Sequence, residues 1–334
     1  MKSLFNRISN FVKWISLLSL ITAFAFVTGC KNSPTGPSAN TSSDATAMQS
    51  IAENDSSITA FDANYNEGQA VSFMGKTAAA ITPIKVGQEV RVVSKNFTYN
   101  VVNDTSYATF TRTFEGVLYI TAVSGLSGQD TVYSKPFTST ITLNLIFVRV
   151  GKSNNPSFNW RLAAFSLPEG GTASSNINIS NVTVFLANGD TLSIDSPNDY
   201  YIDRNVGEKV EAHGMAGMRG FGGMGWWRGF PAIGKNSAVT VKVTLNSAYA
   251  DTDFVTITHG GDSFGVFHPE KLRLTLVSST PSGSGYIKVY QGTYVTRNWA
   301  GFHHAVVNAF PKQVIFDDSS AVEISTWGIP YFIK

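Results

Sequence analysis

Residues 135–150 read KPFTSTITLNLIFVRV. Ile141, Leu143, Leu145 and Phe147 fall on every second position, with Thr and Asn between them. A period of two places these four side chains on one face of a strand, and no helix presents them together. The neighbours repeat the pattern. VRVVSKNFTYNVV (90–102) leads into DTSYATFTRTFEGVLYITAV (104–123), and after the polar turn GKSNNPS (151–157) comes FNWRLAAFSL (158–167). Long strands in sequential order predict an antiparallel sheet. Ahead of them, Ser43 or Asp44 can cap a helix that carries Met48, Ile51, Ile58 and Phe61 at helical spacing.

Further along, INISNVTVFLANGDTLSI (177–194) holds Asn188-Gly189-Asp190 between two alternating runs, which is a hairpin signal. Short alternating segments follow at 237–248, 253–260, 271–279, 285–296, 303–310 and 312–318. The fold class expected is therefore mainly β, with an α+β N-terminal part. A curved antiparallel sheet with an N-terminal helix spans 44–170. An Ig-like β-sandwich spans 171–334 and carries a Gly/Met/Trp-rich loop at 214–234. The long strands behind a helix, closed by NWRLAAFS, resemble the curved sheet of nuclear-transport-factor-2-like domains. The sandwich lacks the cysteine pair and tryptophan of antibody domains, so that likeness is to architecture alone.

The start of the chain tells where it goes. Lys2, Arg7 and Lys13 precede an apolar run from Trp14 to Val27, shorter than the roughly 20 residues of a membrane-spanning helix. Such a segment describes an export signal, residues 1–29. Val27-Thr28-Gly29-Cys30 resembles the lipobox of bacterial lipoproteins. That resemblance implies a diacylglyceryl group on the Cys30 sulfur, cleavage before Cys30, and a further acyl chain such as palmitate on the new amino terminus. Cys30 is the chain's one cysteine, so no disulfide is expected. Residues 30–43, CKNSPTGPSANTSS, have the composition of a tether. Lys31 directly after the lipid site fits retention at the outer membrane.

Charge excludes one class of partner. The chain has 25 basic and 23 acidic residues, and losing Lys2, Arg7 and Lys13 tips the balance slightly acidic. No electrostatic surface for nucleic acid is expected.

Several motifs look like chemistry. Gly261-Asp262-Ser263-Phe264 resembles the nucleophile block of GDSL-type esterases, but it lies late in the chain among strands and reads as a β-turn. GFGGMG (220–225) has the dinucleotide spacing without the strand and helix that spacing needs. His213, His259, His268, His303 and His304 show no zinc spacing, and His303 and His304 in a strand point to opposite faces. No metal, cofactor or catalytic set is expected. Trp226, Trp227 and Arg228 are candidates for stacking on a sugar or touching a partner. The function expected is that of a cell-envelope lipoprotein, held on the outer-membrane bilayer through Cys30. Its role is non-enzymatic binding or structural work, with an envelope protein or glycan as partner. The alternative is an envelope hydrolase whose first-domain pocket gathers Arg112, Glu115, Arg149 and Arg161.

Overall fold

The structure, a computed structural model, describes residues 40–67, 71–72, 81–124, 130–174, 176–204, 227–228, 232–261 and 268–334. Two helices, α1 (Asn40–Asn54) and α2 (Ser56–Tyr65), precede β1 (Val71–Ser72) and three long strands, β2 (Ile81–Val102), β3 (Thr105–Ser124) and β4 (Asp130–Arg149). Shorter strands follow: β5 (Trp160–Ser166), β6 (Glu169–Gly171), β7 (Ile177–Leu186), β8 (Thr191–Ile194) and β9 (Tyr201–Arg204). Next come β10 (Trp227–Arg228), β11 (Ala232–Ile233), β12 (Ala238–Ser247), β13 (Phe254–His259), β14 (Glu270–Arg273), β15 (Thr275–Ser282), β16 (Gly285–Val295) and β17 (Gly301–Phe310). The short helix α3 (Lys312–Phe316) and the closing strand β18 (Ser325–Ile333) complete the chain.

The fold is mainly β, as the alternation predicts. Ile141, Leu143, Leu145 and Phe147 are all buried on one face of β4. β3 pairs with β2 and β4 along almost its whole length. Strands this long must bend to enclose a core, and β2 carries register shifts at Pro83/Lys85 and Val92/Ser94 that let it. The main sheet runs β1-β2-β3-β4-β6-β18-β17-β13-β14, with β5, β9 and β10 branching from β4. It curls far enough for Lys271 of β14 to reach the Val86 carbonyl of β2 at 3.4 Å, though these strands lie near opposite ends of that order.

Helix α2 fills the trough that the curl creates. Asp55 caps it, its carboxylate accepting from the Ser57 amide at 2.9 Å, and this cap breaks the single expected helix into two. Ile58, Phe61 and Tyr65 are buried, and Tyr65 meets Phe114 edge to face at 5.2 Å. Met48 is buried as well, but from α1.

The second sheet, β15-β16-β12-β7-β8, packs against the β18-β17-β13-β14 end of the first. Val182, Val184, Val241, Val243 and Tyr290 meet Ile257, Val307, Trp327 and Ile329 in one core. The two packed sheets within 171–334 form a sandwich-like arrangement. The turn at Asn188-Gly189 forms with Gly189 at φ +90°, as a tight hairpin requires.

Three expectations change. Residues 271–279 are two strands, because the chain crosses from one sheet to the other at buried Leu274, whose amide donates to the Val255 carbonyl. Residues 312–316 form α3, where buried Val314, Ile315 and Phe316 close one end of the core. The boundary expected at 170/171 falls inside β6, which pairs with β4 on one side and β18 on the other. Asp44–Lys334 is accordingly one compact unit. A Cβ on Gly170 would lie 1.8 Å from the Thr140 carbonyl oxygen, and one on Gly171 1.9 Å from that of Ile324. Glycine stands at both positions because two backbones close in on the pair. Residues 1–29 and most of the tether lie outside the described residues; α1 begins at Asn40, inside the expected tether.

Candidate functional site

β6 joins the two halves with only three residues, and the short join leaves a cleft beside it. Thr140 and Thr142 of β4, Glu169 and Gly170 of β6, and Asn178, Ile179 and Ser180 of β7 form its walls. Asp195, Ser196 and Asn198 close it from the turn after β8, and buried Trp327 forms part of the floor. The cleft encloses about 610 Å³.

A chain of hydrogen bonds fixes its polar groups. Pro197 starts a 3-10 turn that carries Asn198. The Asn198 side-chain amide donates to Glu169 Oε1 at 2.5 Å, while the Asn198 backbone carbonyl accepts from the Asn144 side-chain amide at 3.1 Å. Ser166 Oγ accepts from the Asn144 backbone N–H at 2.7 Å and lies 3.4 Å from Asn198 Oδ1. Asn198 is thus held from below and presents Glu169 to the cleft. Burial raises the pKa of Glu169, the Asn198 bond opposes this, and the nearby Asp199 adds to it. Asp195, by contrast, is exposed, and its side chain has no hydrogen bond among the described residues. The cleft therefore offers carboxylates, amides and hydroxyls side by side, as donors and acceptors set over a partly apolar floor.

A second cleft, of about 590 Å³, lies between the helices and the β2–β3 pair. It includes Gln49, Glu53, Asp62, Lys95 and Arg112. Its charges are paired with each other. Arg112 Nη1 donates to both oxygens of Asp62 at 2.6 and 2.8 Å, and Lys95 pairs with Glu53 at 3.2 Å. The Arg112 guanidinium also lies 5.5–5.8 Å from the ring centres of Phe61, Phe110 and Phe114. Burial holds the Asp62 carboxyl above its ordinary pKa, against the pull of Arg112. This cluster clamps α2 to the sheet.

The pocket expected from Arg112, Glu115, Arg149 and Arg161 does not assemble. Glu115 lies on the opposite face of β3 from Arg112 and pairs with Arg91 in solvent. Arg149 pairs with Asp44 at 2.9 Å and stacks on Trp160 at 4.7 Å. Arg161 is exposed opposite Val148. The inner face where the four would meet is filled by Phe110, Phe114, Leu143, Leu145 and Phe147.

His304 points into the trough, its Nε2 2.8 Å from the Ser57 carbonyl, whereas His303 stacks on Tyr331 of the sandwich core. The opposite-face reading of the pair holds. His259 lies flat on Tyr294 at 4.1 Å, and His268 is exposed. Among the described residues no group of three or more His, Cys, Asp or Glu could hold a metal. His213, Trp226, Asp262, Ser263 and Cys30 lie outside the described residues. The backbones of Trp227 and Arg228 form β10, paired with Arg204 and Asp203 of β9.

Sequence reasoning passed over Glu169, Asn178, Asp195 and Asn198. The signals were faint: Pro-Glu-Gly-Gly at 168–171 and Ser-Pro-Asn-Asp at 196–199 look like ordinary loops. No protein-family model matches the chain, and no curated protein matches it in sequence.

Proposed function

We propose that this chain is a lipid-anchored protein of the bacterial outer membrane that binds a hydroxyl-rich envelope glycan in the cleft beside β6. The anchor rests on the lipobox around Cys30 and the export signal before it. No helix of the described residues is long and apolar enough to cross a membrane. The observation that carries the glycan is the cleft itself, where Glu169, Asp195, Asn178, Asn198 and the flanking Ser and Thr residues converge. Sugars need paired donors and acceptors in such density, with some apolar surface beneath. Two carboxylates favour a neutral or amino sugar over an acidic one.

Calorimetric titration with soluble N-acetylglucosamine oligomers tests the cleft. Glu169→Gln and Asn198→Ala should each weaken binding tenfold or more, while Trp227→Ala leaves it unchanged. Binding that survives both cleft variants places the ligand elsewhere. The raised pKa of Glu169 favours one second reading, in which it serves as a general acid in glycoside hydrolysis. Shortened oligomers recovered after incubation with the protein, and absent with Glu169→Gln, would select it. The anchor has its own test: Cys30→Ser should abolish lipidation and release the protein from the membrane fraction.

A further inference from the structure

One end of the long-strand sheet exposes apolar side chains that the fold does not use. Phe158 is 70% exposed, Val102 and Val150 are each 49%, and Tyr107 is 44%. They come from two stretches, 102–107 and 150–158, that backbone hydrogen bonds bring to the same end of the sheet. The β2–β3 turn, which passes through Asn103 at φ +56°, is tied to the end of β4 by a 2.7 Å bond from the Arg149 amide to the Asp104 carbonyl. The Val150 amide donates to the Asn159 carbonyl at 2.7 Å, which brings the Phe158 turn to the same end. Exposed Lys152 and Arg161 flank the patch, with Asp104 on the turn between.

The chain enters the fold at this same end. Asp44, in the first turns of α1, pairs with Arg149, the residue before Val150. Nine residues, Lys31 to Ala39, separate Cys30 from the start of α1 at Asn40. Fully extended at about 3.3–3.6 Å per residue, the chain from Cys30 to Asn40 spans at most about 36 Å. A lipid on Cys30 therefore keeps the entry end, and the patch with it, within that reach of the bilayer.

We propose that Val102, Tyr107, Val150 and Phe158 form a membrane-docking face, which settles onto the leaflet that holds the Cys30 lipid. This rests on the lipobox reading of Cys30. The chemistry suits the interface: Phe and Val enter the boundary between headgroups and acyl chains, Tyr sits at headgroup level, and Lys152 and Arg161 meet anionic headgroups. Alone, so few side chains hold a protein weakly. A short tether raises their effective concentration at the surface to the millimolar range, where weak contacts are occupied. Docking would fix which way the cleft beside β6 faces, which a free tether leaves open.

Phe158→Cys tests this without disturbing the core. With Cys30 carried as a thioether, the new thiol is the only free one in the full-length lipidated protein. A polarity-sensitive dye is attached there and the protein is placed in vesicles of phosphatidylethanolamine and phosphatidylglycerol. The emission should shift to the blue and be quenched at least twofold by lipids brominated on the acyl chain. The same dye at Gln291→Cys, exposed on the outer face of the second sheet, should respond to neither. Emission at 158 that stays water-like, as at 291, overturns the docking proposal. So does a blue shift that follows protein concentration rather than lipid, which would assign the face to a second copy. Two titratable thiols per chain in the Phe158→Cys protein would show Cys30 unmodified and sink the anchor reading, and docking with it. One thiol with a water-like signal sinks docking alone.

Discussion

The trough around α2 and the cleft beside β6 are built from the same residue types, and they do opposite things with them. In the trough, Glu67 accepts from Thr258 at 2.8 Å and from Lys271 at 2.6 Å, and Asn64 both donates to and accepts from the Gly261 backbone. Tyr65 Oη lies 2.7 Å from Ser139 Oγ, and the Gln88 amide donates to the Tyr65 carbonyl. These polar atoms answer one another across 23 to 204 residues of sequence. In the cleft, Asn198 and Glu169 answer each other, but Asp195 and Asn178 face outward without such closure. A cluster whose polar groups mostly close on one another, as the trough's do apart from buried atoms such as Gln88 Oε1 and His304 Nδ1, fixes a structure, while an open one is available to a ligand.

The comparison breaks first at Glu67. Its carboxylate and the Lys271 ammonium are both almost wholly buried. Glu67→Ala strands that ammonium between β14 and β2, and loss of one partner of a buried pair costs about 3–5 kcal/mol. Urea unfolding at neutral pH should show a loss in that range. A loss below about 1 kcal/mol would mean that water reaches the trough and that α2 is not a fixed plug.

What the sequence revealed and what it hid follow the same division. The period of β4 was readable because strand alternation is local, and so was the turn at Gly189. The pairing of Glu67 with Lys271, or of Arg112 with Asp62, joins residues that only the curl of the sheet brings together. The boundary expected at 170/171 falls inside one unit for a physical reason, because other backbones close in on Gly170 and Gly171. Glycine marks flexible linkers and also places where backbones nearly touch, and composition does not separate the two. The cleft was invisible because it exists only once β6 has joined β4 to β18.

Acid should weaken the trough and the sandwich core. His304, buried against α2, has its pKa pushed down to about 3, chiefly by burial, and His259 against Tyr294 is pushed down to about 4. Both are neutral in the folded protein, and neither Nδ1 has a hydrogen-bond partner. The unfolded chain binds protons at these sites as pH falls through about 6.5, whereas the folded protein does not. Stability is therefore full above pH 7 and declines from there toward pH 4, by about 2 kcal/mol per histidine at pH 5. His259→Phe keeps the stack on Tyr294 and removes one titrating group. The drop in unfolding free energy between pH 7 and pH 5 should shrink by about half. An unchanged drop would place the acid sensitivity in other groups.

The smallest effect is expected in the cleft, and its smallness is informative. Burial raises the Glu169 pKa, so the folded state holds that proton more tightly than the unfolded chain does. The charged form is then a cost to folding that appears as pH rises above the ordinary carboxylate range. Gln at 169 keeps an oxygen for the Asn198 amide and removes the charge. Glu169→Gln should leave the unfolding free energy at pH 7 within about 1 kcal/mol of the parent, on the stabilising side. A residue kept for stability would not behave so, because its neutral isostere should then weaken the fold. If urea unfolding instead shows a loss of 2 kcal/mol or more, Glu169 belongs with Glu67 as part of the frame, and the distinction between a closed trough and an open cleft fails at its central residue.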